Sequence, residues 1–216
     1  MKPLLLVMNP RAIEVCVDAI ANLRIDKVWL KNFTEGQLVD VIEDVIDGCD
    51  HDPIGLVSDD CIPTQDALDF VLSHYSPGEV YTGYCNVDTE SQVVNLSTKP
   101  LILQDEADIG CYTMPHRDEV EADPSPLIRS WFAGFALTFM SREMWQRYPF
   151  HAIGHPGCQS DYSLCRRLQG DHVTIYAVRG AFMEHLKGSE AHTKNIPGGE
   201  LRIGREPAEV VWDLRG

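Results

Sequence analysis

The chain has 216 residues, 44% of them hydrophobic, and a formal net charge of −15 at pH 7. That supplies apolar material for one sizeable core, but no apolar run reaches membrane-spanning length, and Leu4 to Met8 is too short for a span or for a signal peptide's apolar region. The acidic excess repels bare nucleic acid and anionic membranes over the surface as a whole, leaving Arg166-Arg167 and the Arg202/Arg205 pair as the material for any local basic groove, so a soluble, cytoplasmic protein is expected.

Pro3 to Asn9 reads as a short buried strand, and Ile13, Cys16, Val17, Ile20 and Leu23 then recur at helical spacing. Lys27 to Leu30 is a second strand. Thr34 with Gln37 has the form of a capping box ahead of a helix whose apolar face is Leu38, Val41, Ile42, Val45 and Ile46. Pro53 to Ser58 is a third strand, and Ala67, Leu68, Val71 and Leu72 mark a third helix. This alternation predicts an α/β fold, a single Rossmann-like domain with a mostly parallel central sheet flanked by helices. No Gly-x-Gly-x-x-Gly and no Walker-type loop follows the first strand. Further on, Glu79–Tyr84, Gln92–Leu96, Gly134–Met140 and Val173–Val178 read as strands. Residues 104–126 read as a long polar loop and 154–159 as another, Ser141 is a candidate N-cap, and a helix begins near Ser160-Asp161. The tail from Lys187 is rich in Gly, Pro and charge. The seven cysteines are odd in number and scattered, with no Cys-x-x-Cys, which argues against a disulfide framework or a structural zinc site and for small buried hydrophobes.

Chemistry concentrates at a few points. Asp59 and Asp60 stand where the third strand exits, a place that suits a hard divalent cation better than a core. Asp161 opens a helix, where first-turn charge is ordinary but where a carboxylate can also act as a general base. His185 ends a strand-like run before a Gly-Ser turn; such a histidine is often structural, yet beside Asp60 it makes a second ligand for Mn²⁺. Trp131 and Gly134 lie in an aromatic stretch that suits either core packing or an acceptor wall.

Taken in order, strand-Asp59-Asp60-x-x-Pro63, Trp131-x-x-Gly134 with Arg142, Ser160-Asp161-Tyr162-x-Leu164-x-x-Arg167 and His185-x-x-Gly188-Ser189 resemble the nucleotide-sugar glycosyltransferases of the GT-A fold, in the family-2-like group, over roughly residues 3 to 189. The resemblance implies a GT-A-like catalytic domain over 1–189, with a nucleotide-sugar-binding half (1–100), an acceptor half (101–189) and a tail or lid (190–216). It implies Mn²⁺ or Mg²⁺ on Asp60 and His185, with Asp59 on the nucleotide side and Asp161 as catalytic base. Asn9, Pro10 and Arg11 are the nearest candidates for donor contacts, and Trp131 and Gly134 for the acceptor. The implied activity is a metal-dependent, inverting glycosyltransferase acting from a nucleotide-diphosphate sugar onto a hydroxyl of a glycan, small molecule or protein, with modified DNA a further option. The chain departs from the family pattern at Ser160, which replaces the usual first acid, at Ser58, where many members carry a further Asp, and at Asn9-Pro10-Arg11. A nucleotidyltransferase of similar fold and a non-catalytic sugar-nucleotide or carbohydrate-binding module are the alternatives.

Overall fold

Leu4, Leu5, Leu6 and Val7 are all fully buried, so the first strand, β1 (Leu4–Asn9), is covered on both faces. Alternation sorts its side chains. Leu4, Leu6 and Met8 join one apolar cluster, and Leu5 and Val7 join another on the opposite side. The computed structural model describes residues 1–9, 11–101, 113–150, 160–187 and 207–215. The remaining elements are α1 (Glu14–Ala21), β2 (Asp26–Lys31), α2 (Glu35–Gly48), β3 (Ile54–Ser58), β4 (Cys61–Ile62), α3 (Gln65–His74), β5 (Val80–Cys85), α4 (Arg117–Ala122), β6 (Leu127–Ser130), β7 (Ala136–Met140), α5 (Arg142–Arg147), α6 (Ser160–Gly170), β8 (Ile175–His185) and β9 (Glu209–Asp213).

One face of the sheet is covered by α2, α5 and α6 through Ile42, Ile46, Met144, Trp145, Leu164 and Leu168. The other is covered by α1 and α3 through Ile20, Ala67, Leu68 and Val71. The expected caps are in place. Thr34 and Gln37 form the reciprocal capping box of α2, Thr64 accepts from the Ala67 N–H to start α3, and Ser141 accepts from the Met144 N–H to start α5. Each satisfies a donor that the first helical turn leaves open.

Among the described residues the sheet has nine strands, in the order β4-β8-β5-β7-β3-β1-β2-β9, with β6 also on β8. The α/β class and the flanking helices agree with the sequence reading, but the sheet is mixed rather than mostly parallel. Among the described strands, β1–β2, β1–β3 and β5–β8 pair in parallel. The pairs β2–β9, β3–β7, β4–β8, β5–β7 and β6–β8 are antiparallel. The cause is β7, which inserts antiparallel between β3 and β5; its fully buried run looks the same in sequence whichever way it points. Gln92–Leu96 forms isolated bridges rather than a strand. Part of the expected 104–126 loop is the helix α4, while residues 102–112 lie outside the described residues, as do the expected loop at 154–159 and residues 188–206. Near the end of the chain, Glu209–Asp213 forms β9 on the edge of β2. Among the described residues no helix is long and apolar enough to cross a membrane.

Candidate functional site

The strand directions bring several chain segments to one edge of the sheet. β1 and β3 run in parallel, so Asn9 and Ser58 end on the same side. β7 runs against β3, so its beginning, Gly134 to Ala136, meets the end of β3. β5 runs against β7 and alongside β8, so Cys85 and His185 finish there too. Ligands of open α/β sheets collect outside such strand ends. A cleft of about 320 Å³ opens at this edge, walled by Arg11, Asp60, Phe132, Gly134, Asp161 and His185 among others.

Two departures from relaxed backbone flank it. Ala12 has φ 51° and Leu137 has φ 56°, left-handed values that cost a side-chain-bearing residue of order 1–3 kcal/mol. Leu137 is the extra residue where the β3–β7 register shifts between Leu56 and Val57, a bulge that turns the start of β7 toward the cleft. Thr138 pins it, its Oγ1 donating to the Gly134 carbonyl at 2.6 Å.

Asp59 and Asp60 are both buried. Asp59 is held by Arg11, whose main-chain N–H donates to Oδ2 at 2.6 Å and whose Nε and Nη2 reach Oδ1 at 2.7 and 2.6 Å. Burial pushes the Asp59 carboxyl above its usual range, and the Arg11 contacts pull against that. Arg11 also sends Nη1 to Asp60 Oδ2 at 2.9 Å. Burial works against its charge, but the two carboxylates outweigh it and hold the guanidinium above its ordinary value. The same Asp60 oxygen lies 3.3 Å from His185 Nε2. Although burial opposes ionisation, the partners His185 and Arg11 keep Asp60 well below the usual carboxylate range. The reciprocal effect, with Cys85 adding to Asp60 against burial, pushes His185 up to about 10.

His185 Nδ1 sits 2.8 Å from the Asn86 carbonyl. A carbonyl accepts only, so that nitrogen carries a proton and Nε2 turns toward Asp60, the arrangement in which histidine ligates metals. Asp60, Cys61 and His185 bring one ligand atom each within 4.8 Å of one another. The residues therefore fit a divalent ion, which would replace the Nε2 proton. Cys85 also reaches this group. Its thiol interacts with Cys61 and with His185 and is lowered to about 6, the Cys61 hydrogen bond being the largest cause. The Cys85 hydrogen bond and burial push Cys61 well up in return.

Asp161 lines the same cleft from the first turn of α6, its Oδ1 accepting the Tyr162 N–H at 2.7 Å. Among the other residues singled out in the sequence, Gly134 lines the cleft, and a Cβ there would come within 2.5 Å of Asn95 Nδ2. Trp131 does not line it; Trp131 packs partly buried against the core with Arg129 over its ring at 4.5 Å, and Phe132 and Phe135 form the aromatic wall instead. Asn9 ends β1 with a buried Oδ1 that has no hydrogen-bond partner among the described residues. Pro10 lies outside the described residues. Cys61, Cys85 and Asn95 carry no motif in the sequence that marks them as site residues. Only strand register places them here, although adjacency to Asp60 was a signal for Cys61.

No protein-family model matches the chain, and no curated protein matches it. Among solved structures it is similar to one described as the inositol-1-phosphate CTP transferase from T. maritima, with 8% sequence identity, a TM-score of 0.49, and 92% of this chain and 97% of that chain covered. A likeness of this size says nothing about the chemistry of this chain.

Proposed function

We propose that this chain is a metal-dependent transferase acting on a nucleotide-activated donor, and within that class an inverting glycosyltransferase that passes a sugar from a nucleotide diphosphate to an acceptor hydroxyl. One observation carries the reading: Asp60, His185 and Asp161, from three distant segments, meet on one cleft at the strand ends. Asp60 and His185 would hold Mn²⁺ or Mg²⁺, which when bound supplies Lewis-acid neutralisation of the departing diphosphate. Asp161 takes the proton from the acceptor hydroxyl as the oxygen attacks the anomeric carbon and the bond to the diphosphate breaks. Lys187 lines the cleft and would place positive charge near the donor phosphates; Arg11 lines it too, with its guanidinium engaged by Asp59 and Asp60. Gly134, Phe132 and Phe135 form the wall against which the acceptor packs. In this reading residues 1–100 serve the donor and 101–189 the acceptor, with His185 and Lys187 reaching across to the donor, and 190–216 follow as a tail that includes the edge strand β9.

A nucleotidyltransferase is the second reading. It shares the carboxylate-held ion and the alternating α/β architecture. Here the segment after β1 lacks glycine and its arginine is engaged by Asp59 and Asp60.

The experiment is a comparison on the full chain with Mn²⁺. Nucleoside-diphosphate sugars plus hydroxyl acceptors should yield transfer and free nucleoside diphosphate. Pyrophosphate release from a nucleoside triphosphate plus a sugar phosphate would select the second reading, and binding without turnover in either assay would select a non-catalytic module. In the glycosyl reading Asp161→Asn lowers kcat by roughly 10²–10⁴ with KM unchanged, the loss typical of a missing general base.

A further inference from the structure

The chelating group contains sulfur as well as oxygen and nitrogen. Cys61 lies directly opposite His185 in the antiparallel β4–β8 pair, so the two side chains share a face of the ladder. Cys85 is in register with Met183 on the other flank of β8, and alternation puts Met183 and His185 on that same face. The main chain fixes the arrangement, because the Leu186 N–H donates to the Asp60 carbonyl at 2.8 Å and ties the Asp59-Asp60 turn to the end of β8. Both cysteines are free, buried in the protein and yet lie on the wall of the cleft. A buried cysteine is ordinarily a small hydrophobe; this one stands beside a carboxylate and an imidazole whose ligand atoms are all within 4.8 Å of one another.

We propose that an ion at this site takes three protein ligands, the Asp60 carboxylate, His185 Nε2 and the Cys61 sulfur, and is therefore a borderline cation of the Zn²⁺ or Co²⁺ kind rather than Mg²⁺. This rests on the reading of Asp60 and His185 as an ion site and puts a zinc-like ion there in place of Mn²⁺ or Mg²⁺. Mg²⁺ takes oxygen ligands and keeps much of its water, whereas thiolate with imidazole and carboxylate selects zinc-like ions. Binding is an exchange: the Cys61 S–H and His185 Nε2–H bonds break, the sulfur–metal and nitrogen–metal bonds form, and both protons leave to solvent.

The test is titration of the full, metal-stripped chain with Co²⁺, followed by ultraviolet–visible absorption. A sulfur-to-cobalt charge-transfer band is expected in the wild type, retained in Cys85→Ser, lost in Cys61→Ser, reversed by Zn²⁺ and untouched by excess Mg²⁺. Loss of an outer partner of a metal ligand costs 10–100-fold in affinity, so loss of a direct ligand in Cys61→Ser should weaken Zn²⁺ binding by about 100-fold or more. Should Cys61→Ser not fold, X-ray absorption of the Zn²⁺-loaded wild type decides, with one sulfur expected at about 2.3 Å. A shell of oxygen and nitrogen only, or a band that survives Cys61→Ser, overturns the three-ligand site. If that result comes with Mn²⁺-dependent transfer intact in Cys61→Ser, the reading of Asp60 and His185 stands; wild type that binds none of these ions overturns both.

Discussion

Arg11→Met tests the electrostatics of the strand exit. Arg11 makes three contacts to Asp59 and one to Asp60, with side-chain exposures of 18%, 1% and 7% for Arg11, Asp59 and Asp60. Removing one partner of a buried ion pair costs about 3–5 kcal/mol, because the other charge is left desolvated. Asp60 retains His185 and Asp59 retains the main-chain N–H of residue 11, so the loss is that of the guanidinium alone and the lower end, about 3 kcal/mol, applies. For a chain of this length each kcal/mol lowers Tm by about 2–4 °C, which gives a fall of about 6–12 °C near neutral pH. The sign of the pH dependence follows from the same burial. Without the Arg11 guanidinium the Asp59 pKa in the folded chain rises further above its unfolded value than in wild type, so the folded variant binds more protons and its stability falls more steeply as pH rises between the two values. The deficit against wild type should therefore be smaller near about pH 5 than near about pH 8. Calorimetric melts at both pH values measure it, and Asp59→Asn in the Arg11→Met background should recover most of the loss. A fall under about 2 °C at both pH values, well short of that range, or no recovery in the double variant, would refute the reasoning.

Three further outcomes are expected. Gly55→Ala would place a Cβ 2.4–2.7 Å from three carbons of the fully buried Phe139 ring, an overpacking worth at least about 1–3 kcal/mol; denaturant melts should show the loss, and adding Phe139→Leu should return part of it. Gly134→Ala forces Asn95 aside, the side chain whose Oδ1 accepts the Cys85 N–H at 2.8 Å; substrate KM should rise while Tm changes little, which steady-state kinetics beside a thermal melt will show. Asp26 is held below the usual carboxylate range, chiefly by the Arg215 N–H and then by His51. Its contribution is therefore present above the unfolded value of about 3.9 and lost as pH falls through the native value. Wild type and Asp26→Asn should differ in stability near neutral pH and converge in acid, read from urea midpoints across a pH series.

The first third of the fold was legible because its elements are local: buried runs for β1 and β3, a capping box for α2, helical spacing for α1 and α3. Asp60, His185 and Asp161 stand out in sequence as titratable residues at element ends, and the structure brings all three to one cleft. What local pattern could not carry was long-range pairing. The antiparallel entry of β7 between β3 and β5 leaves no mark on its apolar run. β4 and β6 are too short to show a period, and the alternation in Glu209–Asp213 gains meaning only beside β2. Cys61 and Cys85 read as packing residues for the same reason, since strand register, absent from a one-dimensional reading, sets them around His185. Arg11 stood out as a cation near a donor, but its grip on Asp59 and Asp60 depends on two strand ends being neighbours.

The insertion of β7 also bears on how the molecule is made. β3 ends at Ser58, and the strand that covers its outer side does not begin until Ala136. Between those two points of translation a nascent chain carries a β1–β2–β3 unit with both margins naked, since the outer side of β2 also waits for β9 at Glu209–Asp213, and such margins recruit other chains. Closing that seam late is slow by topology, so the protein should lean on chaperones during synthesis, and a fragment cut near residue 100 should precipitate rather than fold.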